Sequence, residues 1–433
     1  MAKRKRPAVT PLLPVTLRGG IRYAPGVRAG RWIFATGHKG TTDFASGMSP
    51  DVLRPGLPSW DGSRHRRESD RIFANLARVL KAGGGDFRNI VRVDQYYTDY
   101  RAVEPYHGAR RAALAGHIPP STSILQPRFL LAGQDIEVQM IAVVPGPGMR
   151  VEHVSARGHN IHASSGYSLA LTAGDFVFVA GRLADALTVG DGLAAEARAP
   201  AGHLWKGTPV KLETDFIVKQ KIEPALKAAG SALADVVKCQ VYLRDPADFA
   251  PFNEAWGRHF PKNPPATNLI PMATPGLAIE SGRVEINTLA LRSAGRTRAK
   301  TINAGVMPAW AGHSQAVRAG DLLFISGLLA IDRNGLVDAA RRDPAQPFFG
   351  SSIQAQMDHV LGNAETICRA AGASLANVVR IQQFHTDLAE FYPAYQVWQQ
   401  HLPGAHLPFS AIEVPFLPVP GCTVQLELWV YAP

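Results

Sequence analysis

Three short phrases of the chain place a hydroxyl residue two positions after a proline: PPSTSILQP from Pro119, PPATNLIPM from Pro264 and LPFSAIEVP from Leu407. A glutamate follows each hydroxyl 15 to 18 residues later. A hydroxyl can bind a polar substrate atom, and a carboxylate buried among apolar strands acquires a raised pKa and can serve as general base or acid. A structural glutamate that binds backbone N–H groups is the alternative. The candidates are Thr122 with Glu137, Thr267 with Glu285, and Ser410 with Glu427.

Two further charged residues come directly after a glycine that ends an apolar strand. They are His38 and Arg182, where a third strand of the same kind has Leu328. His38 is a candidate acid or base because an unperturbed imidazole titrates near neutral pH, and a hydrogen-bonded structural role is the alternative. Arg182 is a candidate for binding an anionic group. No C-x-x-C, H-E-x-x-H or P-loop motif occurs, so we expect no metal and no cofactor.

The three cysteines, Cys239, Cys368 and Cys422, are scattered and odd in number. This pattern argues against a disulfide framework and favours a reducing compartment, so we expect a cytoplasmic protein. No cysteine has a histidine at motif spacing, which argues against cysteine nucleophilic catalysis. No apolar run reaches the roughly 18 residues of a transmembrane helix.

The net charge of +11 is uneven along the 433 residues. Residues 1–145 hold 22 Lys and Arg against 11 Asp and Glu, whereas the rest of the chain is balanced. Such an excess can attract an anionic substrate or nucleic acid, and a solvated basic surface is the alternative. No recognition motif for specific nucleic-acid binding is present.

One unit occurs three times in the chain. RAGRWIFATG from Arg28, TAGDFVFVAG from Thr172 and RAGDLLFISG from Arg318 superpose without a gap. Each reads as a glycine, an apolar strand and a second glycine, and each is followed by the order helix, strand, helix and two strands. In the third copy, the first helix has an apolar face at helical spacing. This face consists of Ile353, Met357, Val360, Leu361, Ala364, Ile367 and Cys368.

The order β-β-α-β-α-β-β is not a simple β-α alternation, so we expect an α+β domain with two helices on one face of a mixed sheet. The other face must also be buried, and three copies suggest three sheets turned inward around a pseudo-threefold axis. The predicted repeats span residues 1–145, with a basic N-terminal tail, 150–292 and 302–433. VVPGPGMRVEH from Val143 and RSAGRTRAKTINAG from Arg292 are predicted linkers between them.

These motifs resemble the RidA (YjgF) family of imine and enamine deaminases. AGHSQAVRAGDLLFISGLLAID from Ala311 is similar to the family's opening motif, and AAGASLANVVR from Ala370 and DFAPFNEAWGRHF from Asp248 also match. The resemblance covers nearly the whole chain, three times. It implies a chorismate-mutase-like fold and cofactor-independent hydrolysis. Because family members are usually homotrimers with sites between subunits, it also implies a fused trimer with three non-identical clefts.

The resemblance also implies site residues. A family glutamate that orients the attacking water maps to Glu137, Glu285 and Glu427, and an early tyrosine maps to Tyr23, Tyr167 and His313. An asparagine on the second helix maps to His107, Asn253 and Tyr395. The family's carboxylate-binding arginine maps to Thr122, Thr267 and Ser410 and is therefore absent from every copy. We accordingly expect poor hydrolysis of 2-iminopropanoate-type substrates.

Three functions are predicted as alternatives: a RidA-like hydrolase acting on a C=N or related C–N or enol-type bond, a non-catalytic metabolite-binding protein, and a ribonuclease-like enzyme. The expected partner is a small molecule, with an anionic one favoured by the basic first third. The expected assembly is a compact monomer or a low oligomer of the pseudo-trimer. We expect one dominant cleft, and the residues of first interest are Thr122, Glu137, His38, Thr267, Glu285 and Arg182.

Overall fold

The computed structural model describes residues 9–55, 63–155, 168–186, 192–274, 276–306 and 310–433. Three large mixed sheets dominate these residues, and the copies of the repeated unit supply one sheet each. Two main helices of each copy pack on one side of its sheet. The predicted α+β class is confirmed. Among the helices of the described ranges, none has the length and apolar character needed to cross a membrane.

The order of the first six strands is the same in the three sheets. The first sheet consists of Val9–Leu12, Gly26–Ala29, Trp32–His38, Ile136–Val143, Ile90–Tyr97 and Ser121–Leu125. The second consists of Val151–Val154, Ala170–Ala173, Phe176–Arg182, Val284–Leu291, Val236–Leu243 and Ala266–Pro271. The third consists of Ala299–Ile302, Ala316–Ala319, Leu322–Ile325, Val424–Tyr431, Val378–His385, Phe409–Glu413 and, from the first copy, Arg128–Phe129. Two small ribbons pair Val15–Thr16 with Arg22–Tyr23, and Ile331–Asp332 with Gly335–Leu336.

The helices follow the predicted places. The first copy has Pro50–Leu53, Arg64–Ala82 and Val103–Leu114, and the third copy has Ser352–Ala370 and Phe391–His401. The second copy has Thr208–Phe216, a π-helical segment Ile217–Ile222, Glu223–Ala228 and Phe249–His259. All seven residues of the apolar face predicted in the third copy are buried on Ser352–Ala370. Short 3-10 turns are Arg18–Gly20, Phe87–Asn89, Tyr100–Ala102, Ala195–Ala197, Leu233–Asp235, Pro246–Asp248, Asp338–Ala340, Leu375–Asn377 and Leu388–Glu390.

Each sheet begins with one strand more than the predicted order. Both predicted linkers supply such a strand, Val151–Val154 and Ala299–Ile302, which pairs antiparallel with the next strand of its sheet. The linker prediction was wrong for these residues. Each strand is only four residues long, and the glycine and proline residues around it are typical of a loop. Pairing along a sheet edge stabilises so short a strand.

A β-bulge interrupts the glycine-bounded strand of the first two sheets. Pairing with the last strand shifts between Ala35 and His38, and at the equivalent place between Val179 and Arg182. A bulge bends a strand and changes the direction of the side chains that follow it. The residues after the bulge are therefore directed toward the neighbouring repeat instead of continuing the regular sheet.

Apolar side chains of all three sheets form one shared cluster. Within it, the Trp32 ring centroid lies 5.2 Å from that of Phe176, and the Phe34 centroid lies 6.0 Å from that of Trp429. The Trp32 indole also donates to Asp321 Oδ1 at 3.1 Å. The sheet faces away from the helices are thus buried against one another, as the need to cover them predicts.

Candidate functional site

Strand register shows which acidic residues are equivalent. Tyr96 pairs with Glu137, Tyr242 with Glu285 and, at the same step of the third sheet, Phe384 with Gln425. The predicted equivalence of Glu427 is therefore wrong, because Gln425 occupies the position of Glu137 and Glu285. Glu427 lies two residues further along the strand. Since side chains alternate with a period of two, both residues lie on the same face, and the apolar pattern does not distinguish them.

Register also corrects one hydroxyl residue. Asp94 pairs with Thr122, Gln240 with Asn268 and Gln382 with Ser410. The predicted equivalence of Thr267 is therefore wrong, because the proline pair of the second copy lies one residue earlier relative to its strand. A shift of one residue turns a side chain to the other face of a strand. The Thr267 hydroxyl donates to the Pro265 carbonyl at 3.2 Å.

Each glycine-bounded strand lies against the hydroxyl-bearing strand of a different copy. Gly37 abuts Phe409 and Ser410, Gly181 abuts Thr122, and Gly327 abuts Asn268. We name three interfaces accordingly. The Glu137 interface contains Glu137, Gly37 and Ser410; the Glu285 interface contains Glu285, Gly181 and Thr122; the Gln425 interface contains Gln425, Gly327 and Asn268. The six residues of first interest are thus distributed over all three interfaces.

The residues that the resemblance assigned to the tyrosine and asparagine positions approach each other between copies. The Tyr395 hydroxyl accepts from the Arg22 backbone N–H at 2.7 Å, beside Tyr23. His313 Nε2 lies 2.8 Å from Asn253 Oδ1. His107 lines a cavity at the Glu285 interface. Tyr167 lies outside the described residues.

Glu137 is fully buried at its interface. Its Oε1 accepts from the Ser410 hydroxyl at 2.5 Å. Burial raises the Glu137 pKa, while the Lys39 ammonium and the Ser410 hydrogen bond oppose this rise. Burial lowers the pKa of Lys39, and Glu137 opposes that shift. The Glu137 carboxyl thus has Ser410 as its hydrogen-bond partner, and Lys39 influences it through its charge.

His38, in the same interface, does not titrate near neutral pH. Burial lowers its pKa to about 4, more than the hydrogen bond to the Pro25 carbonyl raises it. Its Nε2 lies 2.7 Å from that carbonyl oxygen, so the neutral ring donates there. This lowered pKa and the hydrogen bond to Pro25 argue against a neutral-pH acid or base at His38 and favour the structural alternative.

The Glu285 interface contains a cavity of about 360 Å³. Two copies of the repeat contribute to its walls. The first copy provides Tyr97, Tyr100, Val103, His107, Arg110, Ser121, Ser123 and Leu125, and the second provides Gly181, Leu183, Ala278 and Glu285. The cavity is mostly apolar, with a few polar groups directed into it, which is the usual character of a small-molecule site.

Glu285 is the carboxyl group of this cavity. Burial raises its pKa to about 8, against the lowering effect of the Arg92 and Arg182 guanidinium groups. Gly181 contacts it so closely that a side chain there would clash with Glu285 Oε1 and would lie 2.8 Å from Thr122 Oγ1. Thr122 accepts a hydrogen bond from Arg92 Nη2 at 2.8 Å. A carboxyl with a pKa close to neutrality can both accept and return a proton.

Arg110 is a cavity residue that sequence reasoning missed. It lies seven residues into the second helix of the first copy, a position that Trp256 and Trp398 hold in the other copies. All three side chains are buried. Arg110 Nη1 donates to Gln95 Oε1 at 3.2 Å and to Ser121 Oγ at 3.1 Å. Comparison of the three helices would have revealed the change from an aromatic residue to a cation.

The Gln425 interface has an amide where the other two have a carboxyl. Neither polar atom of Gln425 has a hydrogen-bond partner within the described ranges. A side chain at Gly327 would lie 2.7 Å from Gln425 Nε2. Asn268 Nδ2 donates to Glu427 Oε2 at 2.9 Å instead of facing an equivalent acid. An amide cannot accept a proton from water, so this interface lacks the acid–base group of the other two.

Glu427 belongs to a buried polar cluster between the sheets. Arg92 and Arg380 each lie 2.6 Å from Asp94, Lys238 lies 3.4 Å from Glu427, and Arg380 lies 3.8 Å from Glu427. Burial alone would raise the Glu427 pKa, but Lys238 and Arg380 hold it below its usual value. A buried carboxylate with two cations is a structural ion pair, which agrees with a structural role for Glu427.

The model of the family described as Endoribonuclease L-PSP matches the chain three times, at residues 17–144, 157–292 and 305–432. The chain belongs to this family. Reactive Intermediate Deaminase A of Arabidopsis thaliana is 29% identical over 136 residues, which are 31% of this chain and 67% of that protein. RidA from the Antarctic bacterium Psychrobacter sp. PAMC 21119 is 31% identical and covers 30% of this chain and 98% of its own, with a TM-score of 0.26.

The predicted resemblance to RidA proteins, in three tandem copies, is confirmed by the three family-model matches and by the Arabidopsis relative. A chorismatase structure matches 80% of this chain and 94% of its own, at 12% identity and a TM-score of 0.48. Membership of the Endoribonuclease L-PSP family supports an imine deaminase-like or small-molecule-binding function.

Among the residues that the structure describes, no three His, Cys, Asp or Glu side chains are grouped as a metal site would require. Cys239, Cys368 and Cys422 are free and buried, and burial raises the pKa of each thiol to about 12. A thiol with so high a pKa is a poor nucleophile at neutral pH.

Proposed function

We propose that the chain is a RidA-like hydrolase that acts on a C=N bond, or a related C–N or enol-type bond, in the cavity of the Glu285 interface. The observation that carries the proposal is Glu285 itself. Its carboxyl group has a pKa of about 8 and lines a cavity of about 360 Å³ between two repeats. This volume lies in the range of small-molecule sites.

In the proposed reaction, the Glu285 carboxylate takes one proton from a water molecule as the water oxygen bonds to the carbon of a protonated imine. The product of this step is a neutral carbinolamine. Glu285 then gives the proton to nitrogen, and the C–N bond breaks as the carbonyl forms. The hydroxyl proton passes through the same carboxylate to ammonia, so water and a protonated imine yield a carbonyl compound and ammonium.

The proposal places the three interfaces in different roles. Glu137 has the hydroxyl of Ser410 as a partner at 2.5 Å, and the Gln425 interface has no carboxyl at the equivalent position. Glu285 lines a cavity to which two copies of the repeat contribute. The strand position of the family's carboxylate-binding arginine holds Thr122, Asn268 and Ser410, and we propose that 2-iminopropanoate is consequently a poor substrate.

The test is hydrolysis of imines generated in situ by an amino-acid oxidase, with 2-iminopropanoate and bulkier imines compared for the wild type and Glu285→Gln. We expect turnover of at least one bulkier imine and its loss in the variant. Turnover that persists in Glu285→Gln would contradict the proposed site. Saturable ligand binding without turnover would favour a metabolite-binding protein, and cleavage of RNA would favour the ribonuclease alternative.

We also propose that the repeats, with the boundaries 1–145, 150–292 and 302–433, form a pseudo-trimer within one chain. Support comes from the apolar cluster and the polar cluster, to each of which all three sheets contribute. Small-angle scattering should therefore give the envelope of one compact particle. Three separated beads would refute this arrangement.

A further inference from the structure

The cavity of the Glu285 interface holds a second charged group besides Glu285. Arg110 lines it and is only 1% exposed, at a helix position where the other two copies have tryptophan. Burial of a guanidinium group is costly unless polar partners or a ligand compensate for lost hydration. An arginine at this one position therefore changes what the cavity can bind.

The hydrogen bonds of Arg110 orient two hydroxyl groups of the cavity wall. Arg110 Nη1 donates to Ser121 Oγ and to Gln95 Oε1, at 3.1 and 3.2 Å. Gln95 Nε2 in turn donates to Ser123 Oγ at 2.5 Å. Because each serine oxygen already accepts a hydrogen bond, each hydroxyl hydrogen can be directed to an acceptor in the cavity, where Tyr97 is a neighbour of Ser123. These hydrogen bonds connect the Arg110 guanidinium group to the two serine hydroxyls in the cavity wall.

Ser121 and Ser123 line the cavity, whereas Thr122 between them is bonded to Arg92 on the other side of the strand. Alternation along the strand thus directs the two serines and the threonine to opposite sides. A ligand in the cavity meets Arg110 and the serines. It does not meet Thr122, the residue at the strand position where family deaminases have their arginine.

We propose that Arg110, Ser121 and Ser123 form a carboxylate-binding site within the cavity of the Glu285 interface. A guanidinium group with two flanking hydroxyl donors matches the planar, two-oxygen geometry of a carboxylate. The apolar walls at Val103, Leu125 and Leu183 then accommodate the body of the ligand. The ligand class is a small monocarboxylate with an apolar body.

A carboxylate fits this site better than a phosphate monoester. A phosphate monoester carries close to two negative charges and three acceptor oxygens, and it is usually bound by several cations. The wall of the described cavity carries one arginine and also the Glu285 carboxyl. One positive charge therefore matches one negative charge on the ligand.

Binding at this site does not depend on catalysis, whereas its use in turnover rests on the proposed function. The test uses calorimetric titration of the full chain with benzoate, with neutral benzamide of the same shape, and with phenyl phosphate. We expect saturable benzoate binding and much weaker binding of the other two. Equal affinity for benzoate and benzamide, tighter binding of phenyl phosphate, or no saturable benzoate binding would each overturn the assignment.

The variants are Arg110→Met and, as the matched control on the same helix, Arg111→Met. Arg111 is exposed and pairs with Glu104 at 2.8 Å, so its loss removes the same charge from the surface. Loss of a charged hydrogen bond predicts a benzoate Kd about 10- to 100-fold higher in Arg110→Met. Arg111→Met should stay within about twofold of the wild type, on the same scale. An unchanged Kd in folded Arg110→Met would refute the role of Arg110.

A crystal of the wild type soaked with 4-bromobenzoate keeps the proposal testable if Arg110→Met does not fold. The anomalous signal of bromine locates the ring, and we expect the carboxylate within hydrogen-bond distance of Arg110. A bromine site elsewhere with an empty cavity would overturn the proposal. The hydrolase proposal fails in a different way. In that case benzoate would still bind and its binding would still depend on Arg110, but no turnover would depend on Glu285.

Discussion

At the Glu285 interface, a carboxyl group with a pKa of about 8 lines a cavity beside Gly181. At the Gln425 interface, the same strand position holds an amide beside Gly327, and the facing Asn268 is bonded to Glu427. The glycine, the last strand and the facing strand recur in both places. The backbone therefore provides three equivalent interfaces, and a few side chains determine which of them can carry out acid–base chemistry.

The largest expected difference between the Glu285 and Gln425 interfaces is in turnover. Glu285→Gln should lower kcat by about 10²- to 10⁴-fold, the usual contribution of a positioned general base. Gln425→Ala should leave kcat within about twofold, because no proton transfer is assigned to that interface. Steady-state kinetics of both variants on the best imine substrate measures this difference in kcat. Equal losses in both variants would show that the interfaces are functionally equivalent.

The next effect concerns the glycines. Gly181→Ala should displace Glu285 and lower kcat by about 10²-fold, because an ångström of misplacement at a reacting group has this effect. Gly327→Ala introduces the same methyl group against Asn268 and Gln425, and we expect lower thermal stability with little change in kcat. Kinetics together with melting temperatures separates the two outcomes. If Gly327→Ala lost as much activity as Gly181→Ala, the distinction between the interfaces would be wrong.

A third effect is the pH dependence of the wild type. The Glu285 carboxylate is the proposed base, and burial raises its pKa to about 8. kcat/KM should therefore rise about tenfold per pH unit below pH 8 and level off above it, when the carboxylate predominates. A pH–rate profile from pH 5.5 to 9.5 measures this. A profile that falls as pH approaches 8 would assign Glu285 the role of acid instead.

The smallest expected effect is on the free energy of unfolding. At high pH, Glu285→Gln should raise it and Gln425→Glu should lower it. The pKa of Glu285 is raised from an ordinary 4.5 to about 8, so the folded chain binds this proton more tightly than the unfolded chain. Stability is therefore lost as pH rises from about 4.5 to about 8. Glu285→Gln should stabilise the protein by a few kcal/mol at pH 9 and hardly at pH 4.

The matched change at the other interface is Gln425→Glu, which buries a new carboxyl group and should destabilise the protein at pH 9. Urea unfolding of both variants at pH 4 and pH 9 checks the pair. No pH dependence of the difference for Glu285→Gln would mean that the carboxyl is solvated and that its pKa is close to the ordinary value.

The repeat, the α+β class and the positions of the helices could be predicted because each depends on local patterns. The apolar face of Ser352–Ala370 and the glycine-bounded strands are complete in short windows of sequence. The first strands of the sheets could not be found in the same way. Val151–Val154 and Ala299–Ile302 are only four residues long and depend on a pairing partner elsewhere in the chain.

Equivalent strand positions were predicted where spacing was preserved and missed where register decided the outcome. Glu137 and Glu285 occupy equivalent positions as predicted, but the glutamate that follows Ser410 in the third copy is Glu427, and the equivalent residue is Gln425. A displaced proline pair likewise substituted Thr267 for Asn268. Arg110 belongs to no motif, because its role depends on a cavity formed by residues of two repeats that are far apart in sequence.

The polar cluster makes the repeats depend on one another for counter-ions. The first copy contributes Arg92 and Asp94 and the third contributes Arg380 and Glu427, so each of them brings its own counter-ion. The middle copy brings Lys238 and relies on Glu427 of its neighbour. Three middle copies joined in the same manner would bury three ammonium groups with amides, Gln240 and Asn287, at the positions of Asp94 and Glu427.

Covalent linkage therefore enforces stoichiometry as well as proximity. Fusion guarantees one of each segment in every molecule, so that the Lys238 ammonium of the middle copy always lies beside the Glu427 carboxylate of the third copy.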